Sequence, residues 1–299
     1  MKRKWIRWVS WILLTPIILF VILMVLLYVP PVQNLLRREV TAYASKATGM
    51  QIQVERIDLR FPLNLLVRGV EVIQQPDTLL SLESLNVRVQ AWPLIKGKVE
   101  VDEVTLSRVA VNSADLMEGM KIKGVLGRFF LQSHGVDLSN ELAVINQVEL
   151  SDTHMQLLMN DTTTTPKDTT ASAPINWKVA LHQLKLKNVS FSMQLPADSM
   201  RMTAHIGEAA INDAQADLKN QYYDLKKFLL LGTSASYDTG TAQPTEGFDA
   251  SHIAVRDIRI ALDSLLYKGR DMNAVIREFT MNERSGLSVT ALTGRAYSN

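Results

Sequence analysis

The first feature of the chain is an apolar run at residues 8–29, WVSWILLTPIILFVILMVLLYV, which contains no charged residue. Twenty-two residues of helix reach roughly 33 Å, enough to cross a hydrocarbon layer of about 30 Å. A membrane helix tolerates an internal proline with a kink, and aromatic residues favour its two ends. The run therefore predicts a transmembrane anchor, and the residues that mark it are Trp8, Trp11, Pro16, Tyr28 and Val29.

The orientation of this anchor follows from the basic residues before it. Residues 1–7 carry four lysines and arginines, so they are expected to stay in the cytoplasm while residues after the run lie across the membrane. A cleaved signal peptide and a buried core helix are the alternatives. A signal peptide has an apolar region of about 7–15 residues that ends at a small-residue site. This run is longer, and YVPPVQN offers no such site, which favours a retained anchor.

Residues 30–50 predict an amphipathic helix that begins at a proline pair and ends at Gly49. Its apolar residues fall at helical spacings, and we expect it to cover the membrane-proximal end of the domain that follows. In that position Leu35, Leu36 and Tyr43 would contact the first strands near Val54 and Ile57.

Beyond Gly49 the apolar residues follow alternating steps of three and two, in a pattern that recurs nine times. Residues two apart share one face of a strand, and a step of three keeps that face only if a bulge or turn absorbs one residue. Each unit is therefore one bent strand, or two short strands, with a single apolar face. The clearest unit is Val101, Val104, Leu106, Val109 and Val111, and equivalent units begin at Ile145, Leu181, Ile206 and Leu225.

These units predict a fold that is mainly β after the two helices. The sheet has one apolar face, and no long amphipathic helix after Gly49 could cover it, so it must curl, pack as a sandwich or stay open as a groove. We expect an elongated, curled, antiparallel repeat sheet over residues 51–299 that forms an apolar groove. Mobile loops are predicted at 161–174 and 232–247, and a strand pair that bends at Gly124 and Gly127 is predicted at 121–133.

The same spacing assigns side chains to the two faces of the sheet. Glu100, Asp102, Thr105, Lys185, Lys187 and Asn212 are expected to point to water. The residues expected to line one concave side are Val101, Val104, Leu106, Leu181, Leu184, Leu186, Ile206 and Ile211.

Composition narrows the chemistry. The net charge is +2 with acidic and basic residues interspersed, so no nucleic-acid patch is predicted. The absence of cysteine excludes disulfides, thiolate metal sites and a cysteine nucleophile. The five histidines lack the spacing of metal ligands and are expected at the surface or at strand edges, and no nucleotide-binding or hydrolase motif is present. We therefore predict no catalytic residue, metal or cofactor, and no enzymatic activity.

Several segments carry a resemblance to a known family. The chain has a basic start, one apolar span and an amphipathic helix, and these precede the patterns at Gly69–Val72, Asp77–Leu85 and Gly97–Leu106. In this order the segments resemble the N-terminal part of the TamB family of AsmA-like envelope proteins, as does FTMNERSGLSVTALTG at 279–294.

The resemblance implies a bacterial protein that is anchored once in the inner membrane and extends through the periplasm in outer-membrane biogenesis. It implies transport of membrane lipid along the groove, assembly and secretion of outer-membrane proteins, or both. It also implies an outer-membrane BamA-like partner, bound through a C-terminal region absent here, and a longer parent protein. The alternative is a membrane-anchored structural or adhesion module built from closed β-sandwich domains.

Overall fold

The strands of the protein form one open sheet. The computed structural model describes residues 29–61, 63–95, 100–113, 119–137, 140–160 and 176–298. Its twelve strands lie side by side in sequence order, and the first does not pair with the last. The strands are β1 Gln51–Arg60, β2 Asn64–Gln74, β3 Asp77–Val89, β4 Val101–Asn112, β5 Met120–Asp137, β6 Leu142–Met159, β7 Lys178–Leu195, β8 Met200–Asp217, β9 Tyr222–Asp238, β10 His252–Lys268, β11 Asp271–Glu283 and β12 Ser288–Ser298.

Neighbouring strands are antiparallel except at one place. β6 and β7 run parallel, in a register that places Ile145 opposite Leu181 and Leu150 opposite Leu186. Parallel strands cannot be joined by a tight hairpin, and residues 160–177 make this connection. The mainly β fold expected from the sequence is confirmed, and the described strands form a single open sheet with no second sheet against it.

Each long repeat unit is one bent strand and not a pair of short ones. The unit at 101–111 lies within β4, and residues 121–133 lie within β5. Residues 232–238 complete β9, so the following connection begins later than predicted. The predicted loop at 161–174 lies outside the described residues. The glycines in β5 and the polar residues at 232–238 in β9 therefore do not interrupt their strands, because each of these strands is paired with a neighbour on both sides.

The bends of successive strands meet in a line that we call the central crease. From β1 to β8 one line of facing residues is left out of the cross-strand pairing, always inside a step of three. A second line of residues, Asn146, His182 and Asp213, is left out in the same way on β6 to β8. As at a bulge, a residue left out of the pairing keeps the apolar residues before and after it on one face and bends the strand. The crease residues are Glu55, Gly69, Glu83, Arg108, Gly127, Asp152, Asn188 and Gly207.

The backbone at the crease follows a simple rule. In each antiparallel pair from β1 to β6 one crease residue is left-handed and the residue opposite is not; Gly69, Arg108 and Asp152 have φ of 58°, 46° and 50°. In the parallel pair both residues are left-handed, since Asn188 has φ of 53°. Glycine, asparagine and aspartate tolerate this region best, which explains most of the residue types found there.

Two crease glycines are required by close approach of the next strand. A Cβ added at Gly127 would lie 2.7 Å from the Cβ of Asp152, and one added at Gly207 would lie 2.8 Å from the carbonyl oxygen of Gly232. No side chain fits at these distances without separating the strands.

The first helix covers the free edge of β1. Helix α1, Pro30–Thr48, ends at Gly49 in the left-handed conformation, and a short helix α2, Ala91–Ile95, follows β3. The predicted anchor lies outside the described residues except for Val29, which precedes α1. Among the helices that the structure describes, none has the length and apolar character to cross a membrane.

The contact between α1 and β1 differs from the predicted one. Leu35 and Tyr43 are 57% and 77% exposed, so the expected apolar packing on β1 is wrong for these two residues. Polar side chains make the contact instead, because the free edge of β1 presents backbone groups that need hydrogen-bond partners.

Candidate functional site

The apolar face of the sheet is the strongest candidate for a functional surface. One residue from every strand lies in a cross-strand series that we call the central row, and all twelve residues are apolar. Residues paired across neighbouring strands project their side chains to the same side. The central row is Ile57, Val67, Leu85, Leu106, Phe129, Leu150, Leu186, Ala209, Leu230, Ile260, Phe279 and Leu292.

A second row runs beside the central row along the same face. Its members lie two residues from central-row members on every strand except β11, where a bulge makes the step three. Eleven are apolar, and the twelfth is a glycine on the edge strand. The second row is Leu59, Leu65, Val87, Val104, Leu131, Val148, Leu184, Ile211, Phe228, Leu262, Ile276 and Gly294.

The two rows run across the strands, along the direction in which the sheet grows. Strands lie about 4.8 Å apart, so the path from β1 to β12 is roughly 50 Å long. The apolar surface is therefore a continuous strip and not a set of separate patches.

None of the elements that the structure describes forms a second layer over this strip. The extensive contacts of the described elements are those between neighbouring strands and that of α1 with β1. Within the described residues no large side chain is fully buried, and the few buried apolar residues are mostly alanines. Central-row side chains are half-buried by their lateral neighbours, apart from buried Ala209 and exposed Leu292. The strip thus retains apolar surface open to a ligand.

Five of the eight residues predicted to line the groove lie in these two rows. Leu106 and Leu186 are in the central row, and Val104, Leu184 and Ile211 are in the second row. The other three flank these rows on the same strand face: Val101, Leu181 and Ile206 pair with Val89, Ile145 and Val189. Their role in lining a lipid path stays a prediction.

The opposite face is polar only in part. The row behind the central row includes Thr105, Phe130, Glu149 and Lys185 on β4 to β7, and Lys185 forms an ion pair with Glu149 at 3.9 Å. On β8 to β10 this row continues as Ala210, Leu229 and Ala261, so the contrast between faces is weaker there. The predicted polar positions Lys185 and Lys187 are exposed, whereas Glu100, Asp102, Thr105 and Asn212 are half-buried.

Sequence reasoning missed most of the strip. Only Leu106 and Leu186 of the central row are among the predicted groove residues; the members on β1–β3 and β9–β12 are not, nor are Phe129, Leu150 and Ala209. The same spacing of three and two would have found most of them, because Ile57, Leu85, Leu230, Ile260 and Phe279 are each the second or third apolar residue of a unit.

The polar face offers a smaller cavity with paired charges. A depression of 210 Å³ is lined by residues that include Arg88, Gln90, Asp102 and Glu103. The Arg88 guanidinium lies 3.2 Å from Glu103, and Gln90 donates a hydrogen bond of 2.5 Å to Asp102. Each of these groups has a partner within the sheet, so the depression leaves few polar groups free to bind a ligand.

The histidines are dispersed, and one lies deeper than expected. His134, His182 and His205 hydrogen-bond Asn146, Asp213 and Ser190 of adjacent strands. His252 is buried, contrary to the expected surface position, and its Nδ1 lies 3.0 Å from Asp249 Oδ2. Across the part of the chain that the structure describes, no three acidic or histidine side chains form a group able to hold a metal ion.

The sequence was compared with protein-family models and with curated proteins. No protein-family model matches the sequence, and no curated protein matches it.

Proposed function

We propose that the protein is an inner-membrane-anchored envelope protein of the TamB and AsmA-like type, acting in outer-membrane biogenesis. In this role the apolar strip holds phospholipid acyl chains while lipid passes through the periplasm, and the strip can also guide apolar segments of outer-membrane proteins. The observation that carries the proposal is the central row, which is apolar on all twelve strands and which no other described element covers. The anchor at 8–29 and the family resemblance supply the envelope location.

The energetics of lipid transfer explain why such a strip is useful. Burial of a CH₂ group is worth about 0.8 kcal/mol, so an acyl chain of about sixteen carbons loses more than about 10 kcal/mol in open water. A strip of roughly 50 Å lets the chain remain on apolar surface at every step, and successive positions along it are chemically alike. No chemical step is needed for movement along it.

The closed β-sandwich alternative has no counterpart in the described residues. A sandwich buries one apolar face against another, whereas the described strands belong to one sheet. A structural module would have no reason to keep an apolar row continuous and open to solvent.

Lipid binding by the full-length protein in phospholipid membranes tests the proposal. A photoactivatable phospholipid should crosslink to the wild type, with the modified residues in or beside the central row. Leu186→Glu places a charge in that row and should abolish most crosslinking. Lys185→Glu, one residue away on the opposite face, is the matched control and should leave it unchanged.

Folding must be checked in the same samples. Circular dichroism should show the same strand content in both variants, and Leu106→Gln offers a milder change in the same row. Crosslinking that is equal in the wild type, Leu186→Glu and Leu106→Gln, with all three folded, would overturn the proposal.

A further inference from the structure

Helix α1 contacts the sheet through polar side chains. Gln33 Nε2 donates to the carbonyl oxygen of Leu59 at 3.1 Å, and Arg37 Nη1 donates to that of Glu55 at 3.0 Å. Ser45 Oγ accepts from the backbone N–H of Ile52 at 3.1 Å. These side chains are spaced by multiples of four, so they form one stripe of the helix, and that stripe faces β1.

Two apolar side chains of α1 point away from this contact. At about 100° per residue, Leu35 lies about 160° from both Gln33 and Arg37, and Tyr43 lies about 120° from Arg37. Leu35 is 57% exposed and Tyr43 is 77% exposed. An amphipathic helix normally buries its large apolar side chains against its own domain. Here these two side chains stay outside the contact with the sheet.

Two more exposed aromatic side chains lie at the same edge of the molecule. Phe61 follows β1 directly and is 84% exposed, and Trp92 in α2 follows β3 and is 70% exposed. The backbone N–H of Val89 donates to the carbonyl oxygen of Leu63 at 3.0 Å, which holds the end of β3 beside the β1–β2 turn. Both aromatic residues thus lie at the end of β1 where α1 begins.

The uncharged run at 8–29 ends at this corner. Val29 is the residue before α1, and Gln33, only four residues later, contacts the end of β1. Four residues of helix rise about 6 Å, so the end of the apolar run lies close to Leu59 and Phe61.

We propose that the outer side of α1, together with Phe61 and Trp92, forms a surface that lies in the interface of the phospholipid bilayer. This inference rests on the proposed membrane anchor. The bilayer is the occupant that fits, because these exposed apolar side chains follow closely after the apolar run in the chain. Arg38 and Lys46 are exposed on the same helix and suit lipid phosphate groups.

This arrangement fixes the orientation of the sheet. An interfacial helix lies in the membrane plane with its apolar side about 5–10 Å deep. Because α1 runs along β1, that strand is then parallel to the membrane and the other strands stack away from it. The central row begins at Ile57 on β1, so its first position lies next to the lipid surface.

Single cysteines carrying an environment-sensitive fluorophore test the surface, because the chain has no native cysteine. The full-length protein is placed in vesicles of phosphatidylethanolamine and phosphatidylglycerol with and without brominated acyl chains. Labels at Leu35, Tyr43 and Phe61 should emit at shorter wavelength and be quenched several-fold by brominated lipid. Tyr297 on β12 is as exposed as Tyr43, at 78%, and a label there should not be quenched.

Each result decides the inference separately from the proposed function. Quenching at Tyr43 that persists in Leu186→Glu supports the bilayer surface even if lipid crosslinking to the central row is lost. A label at Tyr43 that emits as it does in water overturns the bilayer inference. A label that emits at shorter wavelength but is not quenched by brominated lipid also overturns it, because it would indicate contact with a second copy or another protein. Correct vesicle insertion is verified by protease protection of a tag before Trp5.

Discussion

Asn188 donates a hydrogen bond from Nδ2 to Asp152 Oδ1 at 2.8 Å, and both residues are left-handed at the same level of the parallel β6–β7 pair. This bond joins the two antiparallel halves of the sheet at the central crease. Asn188→Gly keeps the backbone conformation and removes the bond, so it should lower the free energy of unfolding by about 1 kcal/mol.

Asn188→Val removes the bond and also disfavours the left-handed conformation, since a β-branched side chain is a genuine outlier there. Asn188→Val should lower the free energy of unfolding clearly more than Asn188→Gly does, as measured by urea unfolding of the two variants. Equal effects would show that the backbone at 188 is not held left-handed.

The close approach at Gly127 predicts a cost for the smallest added side chain. Gly127→Ala places a methyl group against the backbone and Cβ of Asp152, and overpacking of this kind typically costs about 1–3 kcal/mol. Gly124→Ala is the matched control on the same strand, because its nearest neighbour is the flexible sulfur of Met155 at 3.1 Å. The urea midpoint should fall further for Gly127→Ala, and the opposite order would contradict this account of the crease.

Lipid should protect one face of the sheet from a water-soluble thiol reagent. Cysteine at Leu186 lies in the central row, and cysteine at Lys185 lies on the opposite face. Added phospholipid should slow labelling at 186 several-fold and leave labelling at 185 unchanged, as followed by mass spectrometry. If lipid slows both positions equally, the protein is being aggregated or covered as a whole and the strip is not the binding surface.

The connection before β10 should weaken in acid. Asp249 accepts hydrogen bonds from the backbone N–H groups of Thr245 and Ser251 and contacts His252, and these bonds, the one from Thr245 first, hold its pKa well below the ordinary 3.8. A lowered folded-state pKa adds stability that is complete above 3.8 and is lost as the pH falls further.

Amide hydrogen exchange across 239–251 provides the measurement. Asp249→Asn should raise exchange there at neutral pH, and the difference from wild type should shrink in strong acid. Asp271→Asn, at an exposed carboxylate, should raise no exchange in this segment. A difference that is independent of pH would mean that the charge of Asp249 has no part in the effect.

The faces of the strands could be read from the sequence, because a period of two with occasional steps of three follows from local geometry alone. The spacing placed Val104, Leu106, Leu184 and Leu186 on one face without any knowledge of their partners. The order of strands and the parallel β6–β7 pair could not be read in this way, since a period states which side a residue faces and not which strand lies beside it.

The position of α1 shows a different limit. Its apolar stripe is visible in the sequence, and packing of that stripe on the sheet is the ordinary expectation. The free edge of β1 instead takes up Gln33, Arg37 and Ser45, because its unpaired backbone groups favour side chains that hydrogen-bond. Competition between apolar packing and edge hydrogen bonding depends on tertiary structure, which residue spacing does not contain.

The central row takes one side chain from each strand, so the length of the apolar strip is proportional to the number of strands. Each added hairpin extends the apolar strip by about 9.6 Å without altering the strands already present, because the extensive strand–strand contacts of the described sheet are all between neighbours. The length of the strip is then set by the number of hairpins, so gain or loss of a hairpin by duplication or deletion would lengthen or shorten it while leaving the rest of the apolar surface unchanged.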